Sequence, residues 1–119
     1  MNIMFEDSIT DEVRSRYTIL ALDKFYSSES DSVSTAYCLV ENIPIPEMAT
    51  LENYVDLHEN MMSNFYKRNW SFCEQAIEHL TGRWNGEVDS FYDNILTRIT
   101  TLKNTEDLDE SWNGILIRN

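Results

Sequence analysis

The side chains best suited to metal or nucleophilic chemistry are two histidines, His58 and His79, and two cysteines, Cys38 and Cys73. Each histidine has an acidic neighbour, as His58-Glu59 and Glu78-His79. If the helices that carry them fold back on each other near Asn69, position 58 comes to face roughly position 80. Two imidazoles and two carboxylates would then form a donor set suited to zinc or another transition metal. Packing is the simpler reading. His58 lies in an apolar row and His79 stands beside Phe72 and Ala76, so each reads as a packing residue with one hydrogen bond. Neither HExxH nor paired ExxH spacing is present. The expectation is no metal and no cofactor, with His58 and His79 as the ligand candidates. Cys73 shares a helical row with Ile77 and Leu80, which suits a buried, inert thiol, and Cys38 lies in a strand-like run.

Three other groups bear on chemistry. Glu106, Asp107, Asp109 and Glu110 could hold calcium, but they lack the alternating ligands and central glycine of an EF-hand loop, so a solvated loop is expected. The glycines stand at 82, 86 and 114 and form neither GxGxxG nor GxxxxGK. With no complete catalytic set, the chain is read as non-enzymatic. The run Arg83-Trp84-Asn85-Gly86 is the surface candidate. A tryptophan between two helices either plugs them or, with Arg83, anchors a partner. Plugging stands ahead, because the apolar rows on both flanking helices need covering. Arg83, Trp84 and Asn85 are the interaction residues under the second reading.

The elements that must position these residues are mostly helical. The rows Leu51, Tyr54, Val55, His58, Met61, Met62, Phe65 and then Trp70, Cys73, Ile77, Leu80 recur every three and four positions. A third row holds Val88, Phe91, Ile95, Ile99 and Leu102. Helices are expected over about 50–68, 70–81 and 87–102. Thr50 is the expected cap of the first, with Lys67 and Arg68 at its end and Asn69 as the turn residue. Ser71 and Glu74 have capping-box spacing in the second, and Gly82 suits its C-terminus. Asn85 or Gly86 would cap the third.

The first third of the chain reads differently. Thr10 precedes Asp11 and Glu12, as a hydroxyl cap before a short helical turn over 11–15 would. The apolar run 17–22 fits a strand or a helix. A polar loop follows at 27–32, and 33–40 has strong strand character. Together they favour a β-hairpin over about 17–24 and 33–41. Ile43-Pro44-Ile45-Pro46 stops the ladder and marks the passage to the helices. After an acidic loop, residues 112–118 turn apolar again and are expected to fold back, with a short strand beside the hairpin as one form. The fold class is therefore α+β, an N-terminal hairpin packed on three helices. A single domain over 1–119 is expected, with a hairpin region at 1–46, a helical block at 47–104 and a loop and tail at 105–119.

Bulk composition narrows the partners. The 119 residues carry a net charge of −12, with 21 acids against 9 bases. Nucleic-acid backbones and anionic membranes would be repelled, while a basic partner would be attracted. No run of about 18 apolar residues could span a bilayer. The start Met1-Asn2-Ile3-Met4-Phe5-Glu6-Asp7 lacks the basic and apolar regions of a signal peptide. Two cysteines without a CxxC suit a reducing cytoplasm, of a bacterium or a phage-infected host.

The stretch Tyr66-Lys67-Arg68-Asn69-Trp70-Ser71-Phe72-Cys73-Glu74-Gln75-Ala76 resembles the helix-turn-helix step of tetratricopeptide-like pairs. There an aromatic ends one helix, a bulky residue opens the next, and a small residue follows. Roughly the last sixty residues are similar to the helical segment that follows the catalytic domain in bacterial class III adenylate cyclases. The matching pieces are Asn69-Trp70 with Ala76, Asp89 with Phe91-Tyr92 and Arg98, and Trp112-Asn113-Gly114-Ile115. Residues 1–48 cannot supply the cyclase catalytic domain, so the resemblance implies a non-catalytic helical module for docking or packing. The whole chain also resembles small tailed-phage proteins, a likeness that brings no function with it. The leading expectation is a non-catalytic acidic protein acting through protein–protein contacts, with another protein or with itself. The alternatives are a phage structural or assembly protein and an acidic DNA mimic that inhibits a DNA-binding protein.

Overall fold

A computed structural model describes residues 2–41, 48–84, 86–104 and 112–118. The chain forms β1 (Ile3–Phe5), a 3-10 turn (Glu6–Ser8), α1 (Asp11–Arg16), β2 (Tyr17–Ser27) and β3 (Ser32–Glu41). It continues through α2 (Met48–Tyr66), α3 (Trp70–Leu80), α4 (Asp89–Lys103) and β4 (Leu116–Arg118). The class is α+β, with the hairpin and the three long helices where their periodicities place them. The helical alternative for 17–22 is overturned, because that run is part of an eleven-residue strand.

The sheet runs β1-β3-β2-β4. β1 and β2 both lie antiparallel to β3, while β4 lies parallel to β2 and pairs with it only over 25–27. Two of the four strands have three residues each, too short for a period-2 signal. A strand at 3–5 was outside the sequence expectation, whereas the tail strand was one expected form. The hairpin loop is shorter than expected because pairing continues to Ser27 and Ser32. The Thr10 hydroxyl does accept from Val13 N at 3.3 Å, so α1 is capped as its sequence suggests.

Leu20, Leu22, Ala36, Cys38 and Val40 alternate along β2 and β3 and form the core face of the hairpin. Against them pack Met61, Met62 and Phe65 of α2, Cys73, Ala76, Ile77 and Leu80 of α3, and Phe91, Tyr92, Ile95 and Ile99 of α4. β2 carries a bulge. Ala21 faces Tyr37 and Lys24 faces Thr35, so three steps on β2 match two on β3. The extra residue breaks the alternation, and Leu22 and Asp23 are both buried.

The edge of β2 at the bulge is stitched to helices by side chains. Ala21 N donates to Glu59 Oε1 at 3.2 Å, and Lys24 N donates to the Tyr66 hydroxyl at 3.1 Å. Arg98 of α4 pairs with Asp23 at 2.9 and 3.0 Å and lies over the Phe65 ring. Backbone groups that a neighbouring strand would have satisfied are thus covered by α2, which also blunts an edge open to further pairing.

Four expected helix ends differ. α2 starts at Met48, so Thr50 lies within it and is not its cap. Arg68, not Asn69, takes the left-handed conformation, with φ +65°. Asn69 N reaches back to Asn64 O and Arg68 N to Phe65 O, which is a Schellman closure with arginine where glycine is commonest. The Ser71 capping box does not form. Asn69 is the N-cap, without a side-chain bond, and Glu74 instead meets Lys103 at 3.1 Å. α4 opens at Asp89 rather than 87, because 86–88 form a turn. The proline segment 43–46, the acidic run 105–110 and Asn85 lie outside the described residues.

Candidate functional site

The loop between α3 and α4 was the sequence candidate for contact with a partner. Gly82 leaves α3 with φ +83°, and its N donates to Asp89 Oδ1 at 2.7 Å, which closes the loop onto the start of α4. That closure turns Trp84 inward, where it is 2% exposed. Trp84 therefore plugs the helices, and its indole is not a surface anchor in this conformation. Arg83 stays on the surface, stacked over Tyr54 of α2 at 4.7 Å, with its Nε donating to the His79 carbonyl. Of the two interaction candidates that are described, Arg83 faces solvent and Trp84 does not; Asn85 is outside the described residues.

Trp84 enters a buried relay that no local motif announces. Its Nε1 donates to the Tyr92 hydroxyl at 2.8 Å. Tyr92 Oη lies 2.9 Å from His58 Nδ1, and His58 Nε2 meets the Ala21 carbonyl. The polarity of the chain follows from the donor inventory. An indole can only donate, and a carbonyl can only accept. The Tyr92 proton therefore goes to His58 Nδ1, and the His58 proton sits on Nε2. Residues from the α3–α4 loop, α4, α2 and β2 are tied together with every polar atom satisfied, which gives the core a single arrangement.

The electrostatics of the relay match its burial. Loss of hydration pushes the His58 imidazole from 6.5 down to about 4, so it is neutral at physiological pH. The same cause raises the Tyr92 hydroxyl well above its usual range. His58 is fully buried, while His79 lies on the exposed face of α3. The two histidines are not brought together, and both His58 nitrogens are already engaged. Among the described residues no group of three or more His, Cys, Asp or Glu is placed to hold a metal ion.

The thiols are similarly enclosed. Cys73 donates to the Met61 carbonyl at 3.3 Å, and burial lifts it to about 11. Cys38 is buried in β3, and its thiol is also raised. Thiols so shifted hold little thiolate, the reactive form, at neutral pH.

Two clefts stand out among the described residues. One, of about 330 Å³, lies between α4 and the tail, with Leu102, Trp112, Ile115 and Leu116 among its walls. The tail is held there by aromatic packing. Phe65, Trp70 and Trp112 meet edge to face at 5.7 Å for each pair, and Arg68 donates to the Trp112 carbonyl. The other cleft lies between the hairpin and α2 and mixes lysines, hydroxyls and a carboxylate with apolar walls.

Charge is distributed unevenly between signs. Arg16 and Lys103 pair with Glu12 and Glu74, and Arg98 pairs with Asp23. Lys24, Arg68 and Arg83 stack on Tyr66, Trp112 and Tyr54. Six of the nine cations are thus held within the fold. Among the described residues the ion-paired acids are Glu12, Asp23 and Glu74, so most carboxylates face outward unneutralised.

Compared with family models, with curated proteins and with solved structures, the chain finds no match in any of the three.

Proposed function

We propose that the protein is a non-catalytic binder that acts through protein–protein contact with a basic partner. The observation that carries this reading is the asymmetry of charge use. Six of the nine cations take part in intramolecular pairs and ring contacts, while the acids of α2, α3 and the α3–α4 loop, such as Glu52, Asp56, Glu78 and Glu87, stay exposed. A surface of one sign steers an oppositely charged partner and raises its rate of encounter. The groove beside Trp112 and Leu116 offers such a partner an apolar seat. The enclosure of His58, Cys38 and Cys73 in the core also favours a binding role over a catalytic one.

The two alternatives are less well supported. Self-assembly would bring together copies that each carry −12. A mimic of DNA needs its acids in one phosphate-like track, whereas the exposed acids are spread over α1, the hairpin loop, α2, α3 and α4.

The test is affinity capture from the source cells with the wild type and with a Glu52→Gln/Asp56→Asn/Glu78→Gln variant, at about 50 and 500 mM salt. A basic protein recovered by the wild type at low salt, and lost both at high salt and with the variant, is the expected result. Equal recovery by the two proteins would reject an acidic contact surface.

A further inference from the structure

The chain has three lysines, and two of them, Lys24 and Lys67, line one cleft of about 400 Å³. It lies between the hairpin and the C-terminal half of α2. Ser63, Thr35, Tyr37 and Tyr66 add four hydroxyls to its walls, and Leu22 and Met62 give it an apolar floor. In a protein of net charge −12, a pocket built from paired lysines and hydroxyls runs against the prevailing sign.

We propose that this cleft binds a small phosphomonoester with a hydroxylated body, of the sugar-phosphate class. Two ammonium groups suit a dianion, which they meet as point charges without the fixed fork of arginine. Four hydroxyls match the several acceptor oxygens of a phosphate better than the two of a carboxylate. Tyr66 Oη accepts from Lys24 N, which leaves its own proton to give. Burial raises both tyrosines, Tyr66 to about 12, so both remain donors at neutral pH. The volume lies within the range of about 300 to 1,000 Å³ usual for small-molecule sites.

Glu59 also faces the cleft and sets the character of the ligand body. Its Oε1 accepts from Ala21 N, and its carboxylate would repel a bare anion while accepting from a hydroxyl. Glu6 and Arg14 act on Tyr37 with opposite signs. Asp56 acts on Glu59, and Asp23 and Arg98 act on Tyr66 with opposite signs, so cations and carboxylates around the cleft are equal in number, while on its walls two lysines face one carboxylate. More distant acids are screened beyond about 8 Å at physiological salt. The site is independent of the partner contact proposed above.

The test is titration of the full chain with ribose phosphate, followed through the amide resonances of Lys24, Thr35 and Ser63. Free ribose and inorganic phosphate are the comparison ligands. Saturable shifts with ribose phosphate are expected, and weaker ones with either comparison. Lys24→Ala and Lys67→Ala should each weaken binding about tenfold, the loss of one charge-assisted hydrogen bond. Lys103→Ala should leave it unchanged. Glu59→Gln keeps an acceptor for Ala21 N and removes a repulsive charge, so it should tighten binding of inorganic phosphate. Both cleft lysines are exposed, so their variants retain the fold, which circular dichroism checks. Absence of saturation, equal binding of free ribose, or equal weakening by Lys103→Ala would overturn the site. Inorganic phosphate binding as tightly as ribose phosphate would overturn the sugar-phosphate assignment.

Discussion

The Tyr92 hydroxyl carries two bonds of the buried relay, accepting from Trp84 and donating to His58. Tyr92→Phe leaves the indole donor buried and unpaired, at a cost of about 2 kcal/mol. Urea unfolding would show this as a lower midpoint at unchanged slope. His58 gives the fold an acid limb. Its folded-state value is depressed to about 4 while the unfolded chain titrates near 6.5. Between those values the unfolded state holds the extra proton, so stability falls as pH drops from about 6.5 toward 4, by about 3 kcal/mol at most. Glu59 works in the opposite sense. Partial burial raises its carboxyl, so the folded state takes up its proton first and gains from acidification. Urea midpoints in steps across this window would show the decline, and His58→Gln should flatten it. An unchanged decline in that variant would place the acid sensitivity elsewhere. The burial of His58 and Cys73 was legible in their three-and-four spacing with apolar neighbours. The relay was not, because it joins residues 21, 58, 84 and 92, which no local pattern connects.

Among the elements, the tail depends on the helices it covers. Gly114 has φ +75°, and a Cβ there would stand 2.8 Å from Tyr66 Cδ1. Tyr66 is itself tied to Lys24 N at the bulge, so it cannot readily yield. Gly114→Ala combines an unfavourable backbone conformation with a clash and should destabilise by about 2 kcal/mol. The Trp112 environment should become wetter, seen as a red shift in fluorescence with Trp70 and Trp84 replaced by Phe in both proteins. An unshifted spectrum would mean that the tail accommodates the methyl in place. The long helices and both hairpin strands were readable because each holds enough residues to show its period. β1 and β4 hold too few. The closure at Arg68 was assigned to Asn69 because intrinsic preference favours asparagine there. Arg68 takes the position with its guanidinium on Trp112, a contact made with a residue far along the chain.

For the whole molecule, the net charge of −12 opposes compaction, because folding brings like charges closer. Added salt should therefore raise the melting temperature between about 10 and 300 mM while weakening capture of a basic partner. Sodium chloride and sodium perchlorate at equal ionic strength separate screening from ion-specific effects. A melting temperature that stays flat in both would show that the surface charges balance locally. The sequence by itself determined the α+β class, the order of the long elements, the burial of Cys73 and the sign of the surface, because these follow from short-range periodicity and summed charge. The tertiary structure alone decided three further features. Trp84 faces inward because Gly82 closes the loop onto Asp89. The bulge at Leu22-Asp23 recruits Glu59, Tyr66 and Arg98 because an extra strand residue leaves groups to satisfy. Lys24 and Lys67, more than forty positions apart, meet in one cleft because α2 runs along the edge of β2. Such pairings depend on where the chain returns to itself in space, and local sequence does not encode that.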